Sequence, residues 1–340
     1  MRTTLFLFIQ LFLFSFQLSA QYRVGEKTLV YTDGNRENRP IVTELWYPTQ
    51  ETDPEGNRRT DLPFLLPPTI REATLTDQPC PLVLLSHGTG GNRFGLAWLA
   101  TALAEKGYIV AAPDHWGNTF DNIIPEYFLR YWERPLDISF LIRQLLVDPQ
   151  LAAHIDPERI GVAGFSLGGY TSLALAGAEL SCTTLMENAR TEEGKKEFEI
   201  PELDGLAGFM DDFSCEGIPF IPLQDQRIKA FVVMAPALGL GFRELQQTSA
   251  IQSPVLIIGA GGDQIAPVRS NAGNYHQLIP GSIYMELDDP AGHYIFLSEP
   301  LKELKEQNLI YYTDPPTVNR SLIHQQIQEF ILHFFDETIR

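Results

Sequence analysis

The stretch that decides the fold reads Arg159-Ile160-Gly161-Val162-Ala163-Gly164-Phe165-Ser166-Leu167-Gly168-Gly169. Residues 159–165 form the short apolar run expected of a strand that is covered on both faces. Residues 168–178 continue with helical spacing. The pattern Gly-x-Ser-x-Gly therefore falls between a strand and a helix. There it predicts a sharp, strained turn that holds the Ser166 hydroxyl out over the edge of a sheet.

Strand-like and helix-like segments alternate on both sides of this turn. The predicted strands are 24–31, 40–47, 82–85, 108–112, 159–165, 228–234, 255–258 and 283–287, and the predicted helices are 94–106, 133–147, 168–178, a stretch after residue 267 and 322–335. Residues 48–81 are rich in proline and polar side chains, and we expect a loop there. The alternation predicts an α/β fold with a mostly parallel sheet and helices on both faces. Ligands bind at the carboxyl ends of the strands in such sheets.

A histidine and a carboxylate are expected to accompany the serine, because a hydroxyl is a weak nucleophile without a base. Asp263 and His293 each come shortly after a predicted strand, and they follow Ser166 in the order acid, then base. We therefore predict Ser166 as nucleophile, Asp263 as orienting acid and His293 as base. An aspartate in such a loop is often only a turn residue, so Asp288 and Asp289 are held in reserve for the acid.

Two backbone N–H groups are expected to stabilise the oxyanion that forms when the serine attacks a carbonyl. The amide of Leu167 is the first, because it directly follows the nucleophile. The glycine-rich loop 86–91 leaves a predicted strand at the same edge of the sheet. Its Thr89 amide is the predicted second donor.

Three further residues are candidates for the substrate pocket. His87 lies in the glycine-rich loop and is expected to structure it rather than to act as a second base. His115 and Trp116 follow the strand 108–112, so they either line the pocket or belong to a loop that merely follows a strand. An acidic insertion at about 180–227 is expected to cover the pocket as a cap, and its apolar residues either line the pocket or pack the cap onto the domain.

The first residues have the pattern of a signal peptide. Arg2 carries a positive charge, an apolar run covers 5–18, and Ala20 is small. The run contains polar residues and is shorter than the roughly 20 apolar residues of a membrane span, although an N-terminal anchor is the alternative. We predict a signal peptide at 1–20, one catalytic domain at 21–340 and a secreted or periplasmic location.

The chain is acidic, with 43 Asp and Glu against 25 Lys and Arg and a formal net charge of −18. Such a charge is repelled by phosphate backbones, so we expect no nucleic-acid partner. In an exported protein Cys182 and Cys215 either form a disulfide or remain two thiols, and Cys80 is left over. No group of cysteines and histidines has the spacing of a zinc site, and we expect neither a metal nor a cofactor.

These motifs in combination resemble one branch of the α/β-hydrolases, the platelet-activating-factor acetylhydrolase-like or predicted dienelactone hydrolase group. The likeness rests on residues 86–91, 112–115, 164–169, 263 and 291–294, and it extends over 42–293. It implies an α/β-hydrolase fold with an eight-stranded, mostly parallel sheet, and hydrolysis of carboxylic esters. The family roles fall on Ser166, Asp263, His293 and Thr89. Authentic dienelactone hydrolases use a cysteine nucleophile, so that name does not indicate the substrate.

The expected function is therefore hydrolysis of a small-molecule or lipid ester through an acyl-enzyme on Ser166. A monomer or a weak homo-oligomer is expected, with no integral membrane span once the signal peptide is removed. A serine peptidase or an acyltransferase of the same fold would use the same three residues. A non-catalytic binding protein on a hydrolase scaffold is the remaining alternative, because a fold alone does not determine a function.

Overall fold

A computed structural model describes residues 22–52, 62–203, 205–211, 213–216, 218 and 221–340. The predicted signal peptide at 1–20 lies outside the described residues. Among the helices that are described, none is long and apolar enough to cross a membrane.

Eleven strands are described. They are β1 (Arg23–Asp33), β2 (Arg39–Thr49), β3 (Ile70–Arg71), β4 (Cys80–Ser86), β5 (Ile109–Pro113), β6 (Asn118–Thr119), β7 (Asn122–Ile123), β8 (Ile155–Phe165), β9 (Ile228–Met234), β10 (Val255–Ala260) and β11 (Ile283–Leu287). Nine of them form one sheet in the order β11-β10-β9-β8-β4-β5-β2-β1-β3, and β6 pairs with β7 in a small hairpin. The strands from β11 to β5 all run parallel, whereas β2 is antiparallel to both β5 and β1.

The described helices are α1 (Ala97–Glu105), α2 (Pro125–Leu129), α3 (Glu133–Leu145), α4 (Leu167–Ala176), α5 (Cys182–Ala189), α6 (Glu192–Lys196), α7 (Leu206–Asp211), α8 (Ala272–Leu278), α9 (Lys302–Lys305) and α10 (Arg320–Ile339). The helix predicted at 94–106 begins only at Ala97, since residues 93–96 form a turn. The last helix extends beyond the predicted 322–335 at both ends. The α/β class with a mostly parallel sheet is confirmed.

The sheet has nine strands instead of the expected eight, because β3 adds one strand at its edge. β3 lies within 48–81, where we predicted only a loop. Two residues are too few to produce a pattern of alternation, so β3 leaves no signal in the sequence. It pairs in parallel with β1, where Gly25 faces Ile70, and Arg71 forms ion pairs with Glu26 and Glu44.

Alternate residues of each central strand enter different halves of the core. In β4, Val83 and Leu85 pack with α1 and α10, whereas Leu82 and Leu84 pack with α3, α4 and α8. All four side chains are almost fully buried. A strand that is covered on both faces has no polar side, which explains why β4 and β8 appear in the sequence as continuous apolar runs.

The acidic segment between α4 and β9 carries the short helices α5, α6 and α7. Its apolar side chains form a third buried cluster together with Phe128 of α2. Cys182 and Cys215 form the disulfide that the sequence left open, with Cα atoms 5.8 Å apart, and Cys80 is a buried free thiol. We call residues 180–227 the cap.

Candidate active site

The turn between β8 and α4 has the strained geometry that its sequence predicts. Ser166 adopts φ 57° and ψ −119°, in the region that favours glycine. A Cβ atom at Gly164 would lie 1.9 Å from the carbonyl oxygen of Gly168, and one at Gly168 would lie 2.0 Å from that of Ser86. Glycine at both positions therefore allows strand and helix to approach closely enough to form the turn.

The three residues predicted as a triad lie in one hydrogen-bonded chain. His293 Nε2 is 2.9 Å from the Oγ of Ser166, and His293 Nδ1 is 2.6 Å from the Oδ2 of Asp263. All three residues are buried. With Nδ1–H donating to the carboxylate, Nε2 is free to accept the hydroxyl proton of the serine. This is the arrangement of a nucleophile, a base and an orienting acid.

Backbone amides fix the carboxylate of Asp263. Its Oδ1 accepts hydrogen bonds from the N–H groups of Ile265, at 2.9 Å, and Ala266, at 2.7 Å, so Oδ2 remains for His293. The reserve candidates Asp288 and Asp289 make no hydrogen bond to His293 within the described residues. Of the three aspartates, only Asp263 therefore occupies the position of an orienting acid.

Thr89 and Leu167, which we predicted as the two oxyanion donors, lie beside Ser166. Both line the same small cavity as Ser166. Leu167 is the first residue of α4, and the first N–H groups of a helix have no partner inside it. Gly88 lies against Ser166, since a Cβ atom there would be 3.3 Å from that of the serine. The loop thus brings the Thr89 peptide close to the side chain of Ser166.

The small cavity has a volume of about 70 Å³ and a mostly apolar lining. The cap covers it with side chains that include Leu185, Met186 and Phe198. Among the described residues that line it, Glu197 is the one carboxylate, and burial raises the pKa of that group. Its oxygens accept hydrogen bonds from the Ser270 hydroxyl and the Asn271 amide.

A larger cleft of about 740 Å³ shares Thr89 with the small cavity. Its lining is mainly apolar and aromatic, and it includes Phe64, Phe165, Tyr294, Tyr311 and Tyr312. The predicted pocket residue His87 also borders this cleft. The aromatic residues come from distant parts of the chain, and the sequence analysis did not single them out.

Glu202 of the cap connects the glycine-rich loop to the histidine segment. The hydroxyl of Tyr294 donates to its Oε1 at 2.7 Å, and a Cβ atom at Gly90 would lie 2.8 Å from the Cβ of Glu202. Burial raises the pKa of the Glu202 carboxyl. Because Tyr294 directly follows His293, Glu202 joins the cap both to the glycine-rich loop and to the segment that carries His293. No motif in the sequence indicated it.

His115 is placed below the site rather than in it. It is fully buried, its Nε2 lies 2.9 Å from the Ser86 hydroxyl and its Nδ1 lies 3.0 Å from Asp137. Burial lowers its pKa well below the usual range. This second serine–histidine–aspartate chain is sealed from solvent and cannot meet a substrate. Neither His115 nor Trp116 lines either of the two cavities.

No metal centre is visible in the described part of the chain. It contains no group of three or more histidine, cysteine, aspartate or glutamate side chains that could hold an ion.

No family model matches the chain. Among curated proteins it is similar to cutinase 2 of Thermobifida cellulosilytica and to cutinase cut1 of Thermobifida fusca, each 25% identical over 209 residues. These matches cover 61% of this chain and 58% and 47% of the two relatives. The chain therefore spans about half the length of the curated relatives it matches.

Among solved structures, the ferulic acid esterase from Streptomyces cinnamoneus superimposes with a TM-score of 0.61. The match covers 94% of this chain and 91% of the esterase, at 21% sequence identity. At that identity the likeness concerns the fold. The predicted α/β-hydrolase fold is confirmed, with nine strands in its sheet.

Proposed function

We propose that this chain is a serine hydrolase that cleaves carboxylic esters through an acyl-enzyme on Ser166. The observation that carries the proposal is the hydrogen-bonded chain from Ser166 through His293 to Asp263. The Thr89 and Leu167 amides beside it supply the second requirement, a place for a negative oxygen. The similarity to cutinases supports ester hydrolysis. Membership of the platelet-activating-factor acetylhydrolase-like branch is a finer part of this proposal and rests on the sequence motifs.

The reaction begins when Ser166 Oγ attacks the ester carbonyl and passes its proton to His293 Nε2. The carbonyl oxygen becomes an oxyanion held by the amides of Thr89 and Leu167. Asp263 stabilises the positive charge on the imidazole without taking its proton. The tetrahedral intermediate collapses, the bond to the alcohol oxygen breaks, and His293 protonates that oxygen. Water, activated by the same histidine, then releases the acid and restores Ser166.

We further propose an ester with a short acyl group and a bulky, apolar or aromatic alcohol. The leaving alcohol lies on the side of His293, because that residue protonates it. The rings of Phe165 and Tyr294, centred 4.9 and 5.1 Å from the His293 ring, line the large cleft. The alcohol is therefore assigned to the large cleft and the acyl group to the small cavity. A volume of about 70 Å³ suits an acyl group of roughly two to four carbons.

An extracytoplasmic location is part of the same proposal. The disulfide between Cys182 and Cys215 supports it, because such bonds persist in oxidising compartments. The predicted signal peptide would direct the export.

The test combines covalent labelling with kinetics. The purified chain is treated with a fluorophosphonate, and the label is mapped by peptide mass spectrometry. We expect stoichiometric label on Ser166 and, for Ser166→Ala, a turnover reduced by roughly 10⁴-fold or more, because triad members act as a unit. With p-nitrophenyl esters of two to twelve carbons, kcat/KM is expected to fall steeply beyond about four carbons.

Ser86→Ala is the matched control, because the Ser86 hydroxyl also contacts a histidine but is sealed from solvent. It should leave the labelling of Ser166 intact. Label on another serine would contradict the assignment of the nucleophile. A chain that takes no label and cleaves no ester would instead be a binding protein on this fold. Faster cleavage of peptides than of matched esters would indicate a peptidase. Equal rates for all acyl lengths would contradict only the assignment of the small cavity.

A further inference from the structure

The peptide group between Gly88 and Thr89 makes different interactions through its N–H and its C=O. Its N–H is the proposed second oxyanion donor, and its C=O belongs to Gly88. The bond is trans, since Asp289–Pro290 is the cis peptide recorded in the described chain. The C=O and N–H of a planar trans peptide point in opposite directions. Whatever holds the Gly88 carbonyl therefore determines where the Thr89 N–H points.

Three donors converge on the Gly88 carbonyl oxygen. They are Arg134 Nη2 at 2.9 Å, His87 Nδ1 at 2.7 Å and the backbone N–H of Gly91 at 3.2 Å. The backbone N–H of His115 donates to His87 Nε2, so the proton of that ring lies on Nδ1. Arg134 Nη2 is also 2.9 Å from His87 Nδ1. Since both of these nitrogens carry hydrogen, the carbonyl oxygen is the acceptor that they share.

Arg134 is buried, and among the described residues it forms no ion pair of the kind that usually accompanies a buried guanidinium. It is 1% exposed, and its Nε and Nη1 have no hydrogen-bond partner among the described residues. The nearby carboxylate of Asp137 lies instead against Arg36, at 2.8 Å, and Arg39, at 3.9 Å. Burying a charge in this way is costly, and burial lowers the pKa of Arg134 to about 9. A buried cation that contacts the Gly88 carbonyl suggests a role in holding that carbonyl, which an apolar side chain could not perform.

We propose that Arg134 is a positioning residue for the oxyanion hole. Its guanidinium, together with His87, holds the Gly88 carbonyl toward the interior, and the planar peptide therefore directs the Thr89 N–H into the cavity that Ser166 lines. A cation at the carbonyl end also polarises the peptide and strengthens the N–H as a donor. Without it, the peptide can rotate and present an oxygen to the oxyanion. The inference rests on the proposed function, because the donor matters only if an oxyanion forms.

Arg134→Met tests the inference, because methionine keeps apolar bulk and removes the donors. We expect kcat to fall by about 10²–10³, the usual cost of one lost oxyanion donor, while KM stays within threefold. We expect kcat to change and KM to stay nearly constant because the oxyanion exists only in the transition state and the intermediate. Arg134→Lys keeps the charge and should restore part of kcat. Ser166 should still reach complete fluorophosphonate labelling in both variants, although more slowly.

Arg39→Met is the matched control. Arg39 is equally buried and belongs to the same charged cluster, but it contacts Glu133 and Tyr127 rather than the Gly88 carbonyl. It should lose stability while keeping kcat within threefold. If Arg134→Met does not fold, Arg134→Gln replaces it with the same expectation, since its shorter side chain ends before the Gly88 carbonyl.

Crystal structures of the wild type and the folded Arg134 variant supply a readout that is independent of activity. The Gly88 carbonyl is expected to leave its inward position in the variant. A kcat within threefold of the wild type, or an unmoved carbonyl, overturns the inference. A wild-type chain that takes no label on Ser166 and cleaves no ester contradicts the proposed function instead, and the carbonyl position still decides whether Arg134 orients the peptide.

Discussion

Backbone strain is concentrated at Ser166, in the turn between β8 and α4. The φ and ψ angles of Ser166 suit glycine, and other residues pay about 1–3 kcal/mol to adopt such a conformation. The flanking glycines remove the steric obstacle to the turn but not the strain at the serine itself. The backbone therefore holds the hydroxyl toward His293 at the expense of stability. Glycine would suit this backbone better, so the strain at Ser166 supports its proposed role as nucleophile.

This strain predicts an unusual order of stabilities. We expect Ser166→Gly to unfold at a higher free energy than Ser166→Ala, by about 1–2 kcal/mol, because only glycine relieves the strain. Urea unfolding of the two inactive variants measures the difference. Ser172, inside α4, is the matched control, and there Ala should be more stable than Gly by about 1 kcal/mol. If Ser166→Ala is instead more stable than Ser166→Gly, as expected at Ser172, the backbone at Ser166 is not strained.

Among the elements, α10 supports the segment that carries His293. His324 of this helix stacks on Trp98 of α1, with ring centroids 4.1 Å apart. Its Nε2 donates to the carbonyl of Ile295, two residues after His293, at 2.7 Å. Mainly through burial, the pKa of His324 is lowered to about 4. The closing helix therefore holds a neutral histidine behind the active-site turn.

A neutral, buried histidine makes stability depend on pH in a defined window. Between pH 6.5 and about 4 the unfolded chain binds a proton at His324 and the folded chain does not, so stability falls as the pH falls. We expect the wild type to lose about 2–3 kcal/mol more than His324→Gln between pH 7.5 and 4.5. Urea unfolding at both values measures this, and the variant keeps an N–H donor for Ile295. Parallel losses in the two proteins would contradict the assigned pKa.

At the scale of the whole molecule, the sheet and the cap both contribute to the candidate active site. The sheet supplies Ser166, Asp263, His293 and the glycine-rich loop, whereas the cap covers the small cavity and contacts the loop through Glu202. The cap packs through the apolar cluster that it shares with Phe128 of α2, and a disulfide closes it. Its described residues add no strand to the sheet. We therefore expect the cap to lose its structure separately from the sheet.

Removing the disulfide should loosen the cap before the sheet. Cys182→Ser combined with Cys215→Ser opens a loop with a sequence separation of 33, and chain entropy predicts a loss of roughly 3–4 kcal/mol. Limited proteolysis should then cut first between residues 183 and 214, and kcat/KM should fall as the small cavity loses its cover. Cys80→Ala is the control, because Cys80 is buried but unpaired. Cleavage elsewhere at the same rate would contradict a separable cap.

Much of the fold was predictable because its main strands and the turn at Ser166 have recognisable patterns in the local sequence. The apolar runs of β4, β8, β9 and β10 follow from burial on both faces, and the turn at Ser166 follows from glycines whose missing side chains allow close approach. The two-residue strand β3 was missed because it is stabilised by pairing and by the ion pairs of Arg71. The place of His115 after a strand left open whether it lines the pocket, and its side chain turns into the interior.

Local sequence patterns were enough to predict the alternation of the main strands and helices and the strained turn at Ser166. They also predicted that Asp263 and His293 follow the ends of strands at one edge of the sheet. The unequal cavities, the closed disulfide and the burial of Arg134 against the Gly88 carbonyl became visible only in the folded chain. These depend on side chains that are distant in sequence, and their contacts are set by packing rather than by local pattern.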